Sequence, residues 1–84
     1  MKFIATFYSH FGAVDFKKKC AALAIPARAM PVPRSLSSSC GTCISYEAEE
    51  YFPLSGNPAD LEELEQIVSV TDSGYDTLYT ISGG

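Results

Sequence analysis

The sequence predicts an α+β fold of the ferredoxin-like type, in which the order βαββαβ gives a four-stranded antiparallel sheet with two helices on one face. Three observations lead to this prediction. Apolar residues recur every three or four positions in two segments, as in amphipathic helices, and they alternate with polar residues in the short runs between. The chain has 84 residues, of which 46% are hydrophobic, enough for one small core. No repeat divides it, so residues 1–84 are expected to form a single domain.

The first half of the chain predicts a strand, a helix and a second strand. Residues 2–8 are rich in aromatic and β-branched side chains, as in a strand covered on both faces. Ser9 is a suitable N-cap for a helix over about residues 10–24, which an Ile-Pro pair ends. Residues 27–33 predict a strand whose prolines confine it to a sheet edge. The inward-facing row of the helix consists of Ala13, Phe16, Cys20 and Leu23.

The second half predicts a strand, a second helix and a last strand. Residues 43–52 alternate apolar side chains with polar or acidic ones, as in a strand with one solvated face. Asn57 is a suitable N-cap, and a proline occupies the first helical position after it. A turn at residues 71–74 and a strand at 75–81 follow this helix. The apolar stripe of the second helix consists of Leu61, Leu64, Ile67 and Val68.

Composition and charge exclude several classes of function. Residues 1–46 have a net charge of +5 and residues 47–84 a net charge of −9, so the chain is not expected to bind nucleic acid. No apolar run is long enough to span a bilayer, and the N-terminus is too short and polar for a signal peptide. Three cysteines, an odd number, argue against a secreted disulfide framework. A cytoplasmic protein with reduced thiols is therefore expected.

Residues 31–43, named the cysteine loop below, contain the residues best suited to chemistry. Two prolines, the triplet Ser37-Ser38-Ser39 and Gly41 predict irregular, exposed backbone. A Cys-Gly-Thr-Cys motif places Cys40 and Cys43 three positions apart, close enough to form a disulfide, share a metal, or act as attacking and resolving thiols. In the alternative interpretation, Cys43 packs as the first residue of a strand and Cys40 is incidental.

Three further residues of the cysteine loop would support the chemistry of Cys40. Arg34 is the only nearby cation in sequence, and a cation near a thiol lowers the pKa of that thiol. Ser39 and Gly41 favour turning, exposed backbone, which opens access to the sulfur. Backbone N–H groups around Gly41 would also stabilise the negative charge of a thiolate.

Three other sites are disfavoured. A thioredoxin-like site requires the motif to begin a helix, whereas here it precedes a strand. A zinc site needs two more ligands, and His10 and Cys20 lie about 15 Å apart along the predicted helix, so no metal is expected. The terminal Gly-Gly resembles that of ubiquitin-like sulfur carriers, but those begin with a hairpin and this chain with a strand and a helix. Residues 82–84 are instead expected to be a flexible tail.

The runs Met30-Pro31-Val32-Pro33-Arg34 and Ser37-Ser38-Ser39-Cys40-Gly41 resemble the small bacterial "putative Se/S carrier protein-like" family. The resemblance covers about residues 2–50. It implies transport of sulfur or selenium as a persulfide or perselenide on Cys40, with no cofactor. It also implies a cysteine desulfurase or selenium-pathway enzyme as donor, and an acceptor protein. The sequence departs from the family pattern at Ser35, where an acid is common, and at Cys43, which is an addition.

Two hypotheses follow, and they belong to different classes. In the first, the protein is a carrier rather than a stand-alone enzyme, and Cys40 accepts sulfur that Cys43 could later release by forming a disulfide. In the second, the protein is a small binding or regulatory module whose thiols sense redox state or are only structural.

Overall fold

An antiparallel sheet of five strands, with a single α-helix packed on one face, forms the framework of the computed structural model, which describes residues 1–81. In chain order the elements are β1 (Lys2–Phe7), α1 (His10–Ala22), β2 (Ala27–Pro31), β3 (Thr42–Glu47), a 3-10 turn (Pro58–Asp60), β4 (Leu64–Thr71) and β5 (Gly74–Thr80). The strand order across the sheet is β2-β3-β1-β4-β5. No helix within residues 1–81 is long and apolar enough to cross a membrane. The tail predicted at residues 82–84 lies outside the described residues.

The predicted ferredoxin-like fold, with four strands and two helices, is wrong, because residues 1–81 form five strands and one α-helix. The first half follows the prediction. Strands β1 and β2 both pair with β3, which lies between them, and α1 connects them over one face of the sheet. The difference begins where the sequence predicts the second helix. There the chain forms β4, which pairs with β1 on one side and with β5 on the other.

A register shift explains why β4 has the apolar spacing of a helix. Phe7 of β1 pairs with Leu64 instead of Glu65, so that Glu65 is an extra residue in β4. An extra residue of this kind, a β-bulge, locally breaks the alternation of side chains between the two faces. Leu64 and Ile67 therefore lie in the same core cluster although they are three positions apart. The β-branched residues within 67–71 favour the strand over the helix.

Asn57 and the proline after it do begin a helical turn, as their sequence signals predict, but this turn is a single 3-10 turn and not the start of an α-helix. The Asn57 N–H donates to Asp60 Oδ2 at 3.0 Å, as in a capping box. Leu61 then has extended dihedral angles (φ −92°, ψ 96°), which end the turn. Beyond it, the Tyr8 N–H donates to the carbonyl of Glu63 at 2.8 Å. This bond holds the chain against the end of β1, where β4 begins.

The main core lies between α1 and the sheet, on what we call the helix face. The ring of Phe16 lies 5.4 Å from that of Phe7 and 5.3 Å from that of Tyr46, measured between centroids. Leu23, predicted to face inward, is 52% exposed because α1 ends at Ala22. The buried residues of this core are Phe3, Ala5, Phe7, Ala13, Phe16, Cys20, Ile44, Tyr46, Phe52, Leu64 and Ile67.

The start of α1 is fixed by side chains that the sequence signals identify in part. Ser9 is the N-cap, as predicted, and its Oγ accepts a hydrogen bond from the Gly12 N–H at 3.1 Å. The same hydroxyl donates to the carboxylate of Glu63. A Cβ atom on Gly12 would lie 2.5 Å from the Cβ of Glu63, so only glycine allows this close approach.

A smaller core lies on the opposite side of the sheet, which we call the loop face. Its buried residues, Ile4, Cys43 and Val68, come from the three central strands. Val32 and Leu36 of the cysteine loop pack against them, together with Met30. The loop therefore covers part of the sheet face that no helix covers, and it is more than a solvent-exposed connection.

Candidate functional site at the cysteine loop

The cysteine loop folds back across the loop face of the sheet. Its two ends belong to strands, since Pro31 of β2 pairs with Thr42 of β3. One further bond, from the Val32 N–H to the Gly41 carbonyl at 3.1 Å, closes the irregular part. β2 is an edge strand, which agrees with the prediction from its proline. Between these bonds, the loop crosses the sheet and contacts β1 and β4.

Glu65 holds the serine segment of the loop. Its carboxylate accepts the Ser39 N–H at 3.3 and 3.4 Å and the Ser39 hydroxyl at 3.0 Å. A third donor, the hydroxyl of Thr6 on β1, reaches the same carboxylate at 3.2 Å. Hydrogen bonds to an ionised acceptor are stronger than neutral ones. The residue directly before Cys40 is therefore held by a charged group on the central part of the sheet.

Three more hydrogen bonds fix the backbone on either side of Ser39. The Ser38 hydroxyl donates to the Phe7 carbonyl at 3.3 Å and accepts the Cys40 N–H at 3.2 Å. The Gln66 side-chain amide donates to the Ser37 carbonyl at 2.9 Å. These three serines thus hold the loop to the end of β1 and to the start of β4, although the sequence alone predicts only irregular, exposed backbone for this segment.

The three thiols differ sharply in environment, and none of them forms a disulfide. Cys20 and Cys43 are both 0% exposed, on the helix face and the loop face respectively, whereas Cys40 is partly exposed. Burial raises the pKa of Cys20 to about 11. Burial also raises the pKa of Cys43, whose thiol has a weak contact with the Pro31 carbonyl at 3.7 Å. Cys40 alone is accessible to a reactant in the folded protein.

The interpretation of Cys43 as a packed residue that begins a strand agrees with its burial, although β3 starts one residue earlier, at Thr42. Cys43 lies in β3 opposite Thr6 of β1 and Met30 of β2, surrounded by the apolar cluster of the loop face. The structure therefore separates the two cysteines of the motif into one accessible and one buried thiol.

The supporting residues predicted from the sequence fall into two groups. Ser39 is the residue bound by Glu65 and is closely tied to the position of Cys40. Arg34 is exposed and forms no ion pair with any residue within 1–81. Gly41 does not have a positive φ, and a Cβ at this position would meet nothing within 4 Å. Its lack of a side chain is therefore not required by the fold.

Sequence reasoning missed Glu65 and Gln66 as parts of the site. Glu65 lies in the segment predicted as the second helix, outside its apolar stripe, and its contact with Ser39 spans 26 positions in the chain. Only the pairing of β4 with β1 brings the two together. Within residues 1–81, no group of three or more His, Cys, Asp or Glu side chains could bind a metal ion.

Comparison with known proteins relates the chain to a family, through residues 2–53. No curated protein and no solved structure matches the chain. A protein-family model with the description "Putative Se/S carrier protein-like" matches residues 2–53, which is more than half of the chain. The match includes β1, α1, β2, the whole cysteine loop and β3, and it ends before β4. The chain therefore belongs to the "Putative Se/S carrier protein-like" family.

Proposed function

We propose that the protein carries a sulfur or selenium atom on Cys40, as a persulfide or perselenide, between a donor and an acceptor. The observation that supports this most directly is the accessibility of Cys40 beside two thiols that are 0% exposed. Only a thiolate that a donor can reach is able to accept a sulfur atom. The family description supports the same role.

The transfer requires no external oxidant. The Cys40 thiolate attacks the outer sulfur of a donor persulfide, an S–S bond to Cys40 forms, and the donor cysteine leaves as a thiolate. In the second step, a nucleophile of the acceptor attacks the outer sulfur and Cys40 leaves as a thiolate. A cysteine desulfurase or a selenium-pathway enzyme fits the donor role. This chemistry suits the reducing conditions of the cytoplasm, where thiols remain free.

Arg34 and Cys43 would have secondary roles. Arg34 is exposed and unpaired within the described residues, so its guanidinium is free to attract a thiolate or a perselenide near the loop. Cys43 could attack the inner sulfur of a Cys40 persulfide, forming a Cys40–Cys43 disulfide and releasing hydrosulfide, although its thiol is buried in the apolar cluster of the loop face. We therefore assign the acceptor role to Cys40 and expect loading to proceed without Cys43.

Intact mass spectrometry tests the proposal. The reduced protein is incubated with a cysteine desulfurase and cysteine, and the expected product is heavier by one sulfur atom, mapped to Cys40 and removed by a reductant. Cys43→Ala is the matched control and should load as wild type does, whereas Cys40→Ser should not load. Sulfur uptake by Cys40→Ser would refute the assignment. No uptake by the wild type would favour a binding or regulatory module instead.

A further inference from the structure

We propose that Glu65 is a positioning residue for Cys40, holding the thiol where a donor protein can reach it. The inference rests on the proposed function, because one of its two tests measures sulfur transfer to Cys40. Glu65 lies outside the part of the chain that the family model matches. Its carboxylate accepts both the N–H and the hydroxyl of Ser39, the residue next to Cys40.

The fold gives Glu65 this orientation through the bulge in β4. Glu65 is the extra residue between Leu64, which pairs with Phe7, and Gln66, which pairs with Thr6. Bulges redirect side chains out of the regular alternation of a strand. As a result the neighbouring Glu65 and Gln66 both bind the same serine segment, which two successive residues of a regular strand would not do.

The carboxylate is suited to its partners because all of them are donors. Thr6 and Ser39 offer two hydroxyls and one N–H to the two oxygens of Glu65. A carboxylate only accepts, and it has room for all three bonds. A glutamine would keep one accepting oxygen and present an NH₂ group at the other position. It would therefore retain part of the contact, whereas alanine would remove all of it.

Fixing Ser39 also fixes Cys40. The Cys40 N–H is bound to the hydroxyl of Ser38, which itself is bound to the end of β1 at Phe7. With Glu65 on one side and this pair of bonds on the other, the backbone at Cys40 has little freedom to turn. Sulfur transfer between two proteins requires the attacking thiolate to align with the donor S–S bond, so a loosened loop should react more slowly.

The experiment compares Glu65→Ala, Glu65→Gln and the control Glu62→Ala with wild type. Glu62 is exposed and lies in the same segment without a bond to the cysteine loop. Backbone hydrogen exchange at residues 37–41 should rise about tenfold in Glu65→Ala, because bonds to a charged acceptor are lost. Sulfur transfer from a desulfurase persulfide should fall about tenfold. Glu65→Gln should lie between Glu65→Ala and wild type in both measurements, and Glu62→Ala should match wild type.

A second readout separates positioning from loss of structure. Alkylation of Cys40 by iodoacetamide should stay within about threefold in Glu65→Ala, because a small reagent reaches a loose loop as well as a fixed one. Cys20 and Cys43 should stay unreactive, which shows that the fold is intact.

The inference would be overturned if Glu65→Ala showed the same hydrogen exchange at residues 37–41 and the same rate of sulfur transfer as wild type. It would also be overturned if Glu62→Ala lost as much sulfur transfer as Glu65→Ala. A wild-type protein that accepts no sulfur would refute the proposed function, and hydrogen exchange alone would then decide whether Glu65 positions the loop.

Discussion

The difference between the three thiols makes a quantitative prediction about their reactivity in the native protein. The perturbation is a neutral alkylating reagent at pH 8. Burial raises the pKa of Cys20 from 9.0 to about 11, which lowers its thiolate fraction at pH 8 about 100-fold. In addition, its side chain is 0% exposed, so the reagent must wait for the protein to open. At an unfolding free energy of about 5 kcal/mol, only about one molecule in several thousand is open at any time.

Cys43 is also 0% exposed and has a raised pKa, so the same reasoning applies to it. We therefore expect one adduct, on Cys40, to form at least about 1,000-fold faster than the second and third. Intact mass recorded against time gives the three rates, and peptide mapping assigns the first adduct. In denaturant, all three cysteines should react at similar rates.

Cys40→Ser is the control, and it should remove the fast phase without changing the slow ones. Two adducts that form at similar rates in the native wild type would refute the reasoning. In that case, one of the buried cysteines would have to lie in a segment that opens easily. If that residue were Cys43, the cysteine loop would cover the loop face too weakly to protect its thiol.

Three further predictions concern stability. The pKa of Cys20 is higher in the folded than in the unfolded state, so its contribution to stability is complete below pH 9 and is lost as the pH rises through about 11. Because burial also raises the pKa of Cys43, the test is the difference between wild type and Cys20→Ala: across this range the free energy of unfolding should fall by about 2–3 kcal/mol more in wild type. Gly12→Ala should lower the free energy of unfolding by at least about 1 kcal/mol, because the new Cβ meets Glu63. Gly41→Ala should change it by less than about 0.5 kcal/mol, because the new Cβ meets nothing within 4 Å. Ser9→Ala should lower the free energy of unfolding by about 1 kcal/mol, measured in urea, because the N-cap of α1 is lost. An unchanged urea midpoint would contradict the role of Ser9 as a stabilising cap.

The first half of the fold could be predicted from the sequence because its signals are local. The cap at Ser9 and the inward spacing of Phe16 and Cys20 each depend on neighbours within a few positions, and the structure confirms them. Cys40 could be recognised as the accessible thiol because prolines and serines surround it. The burial of Cys43 was one of two alternatives, and only the packing of the loop face decides between them.

In the second half, the strands β3 and β5 and the turn before β5 agree with the prediction, but the segment predicted as a second helix does not, because tertiary pairing overrides its local signals. Asn57 and the proline after it are typical of a helix start, and the structure does place a turn there. The turn ends at Leu61, however, and the next residues gain more by pairing with β1 than by continuing a helix. Most helical stability in proteins comes from packing rather than from propensity, so a good start does not ensure a helix.

The β-bulge connects the failed prediction with the candidate site. One extra residue in β4 places Leu64 and Ile67 on the same face at a spacing of three, which is also the spacing of a helix. The extra residue is Glu65, and its displaced side chain is the one that binds Ser39 beside Cys40. The bulge that brings Glu65 to the cysteine loop is therefore also the cause of the helix-like spacing of apolar residues in this segment. A sequence whose apolar residues fit a helix, but whose β-branched residues fit a strand, should therefore be examined for a bulge, and the polar residue inside the bulge for a contact with the functional loop.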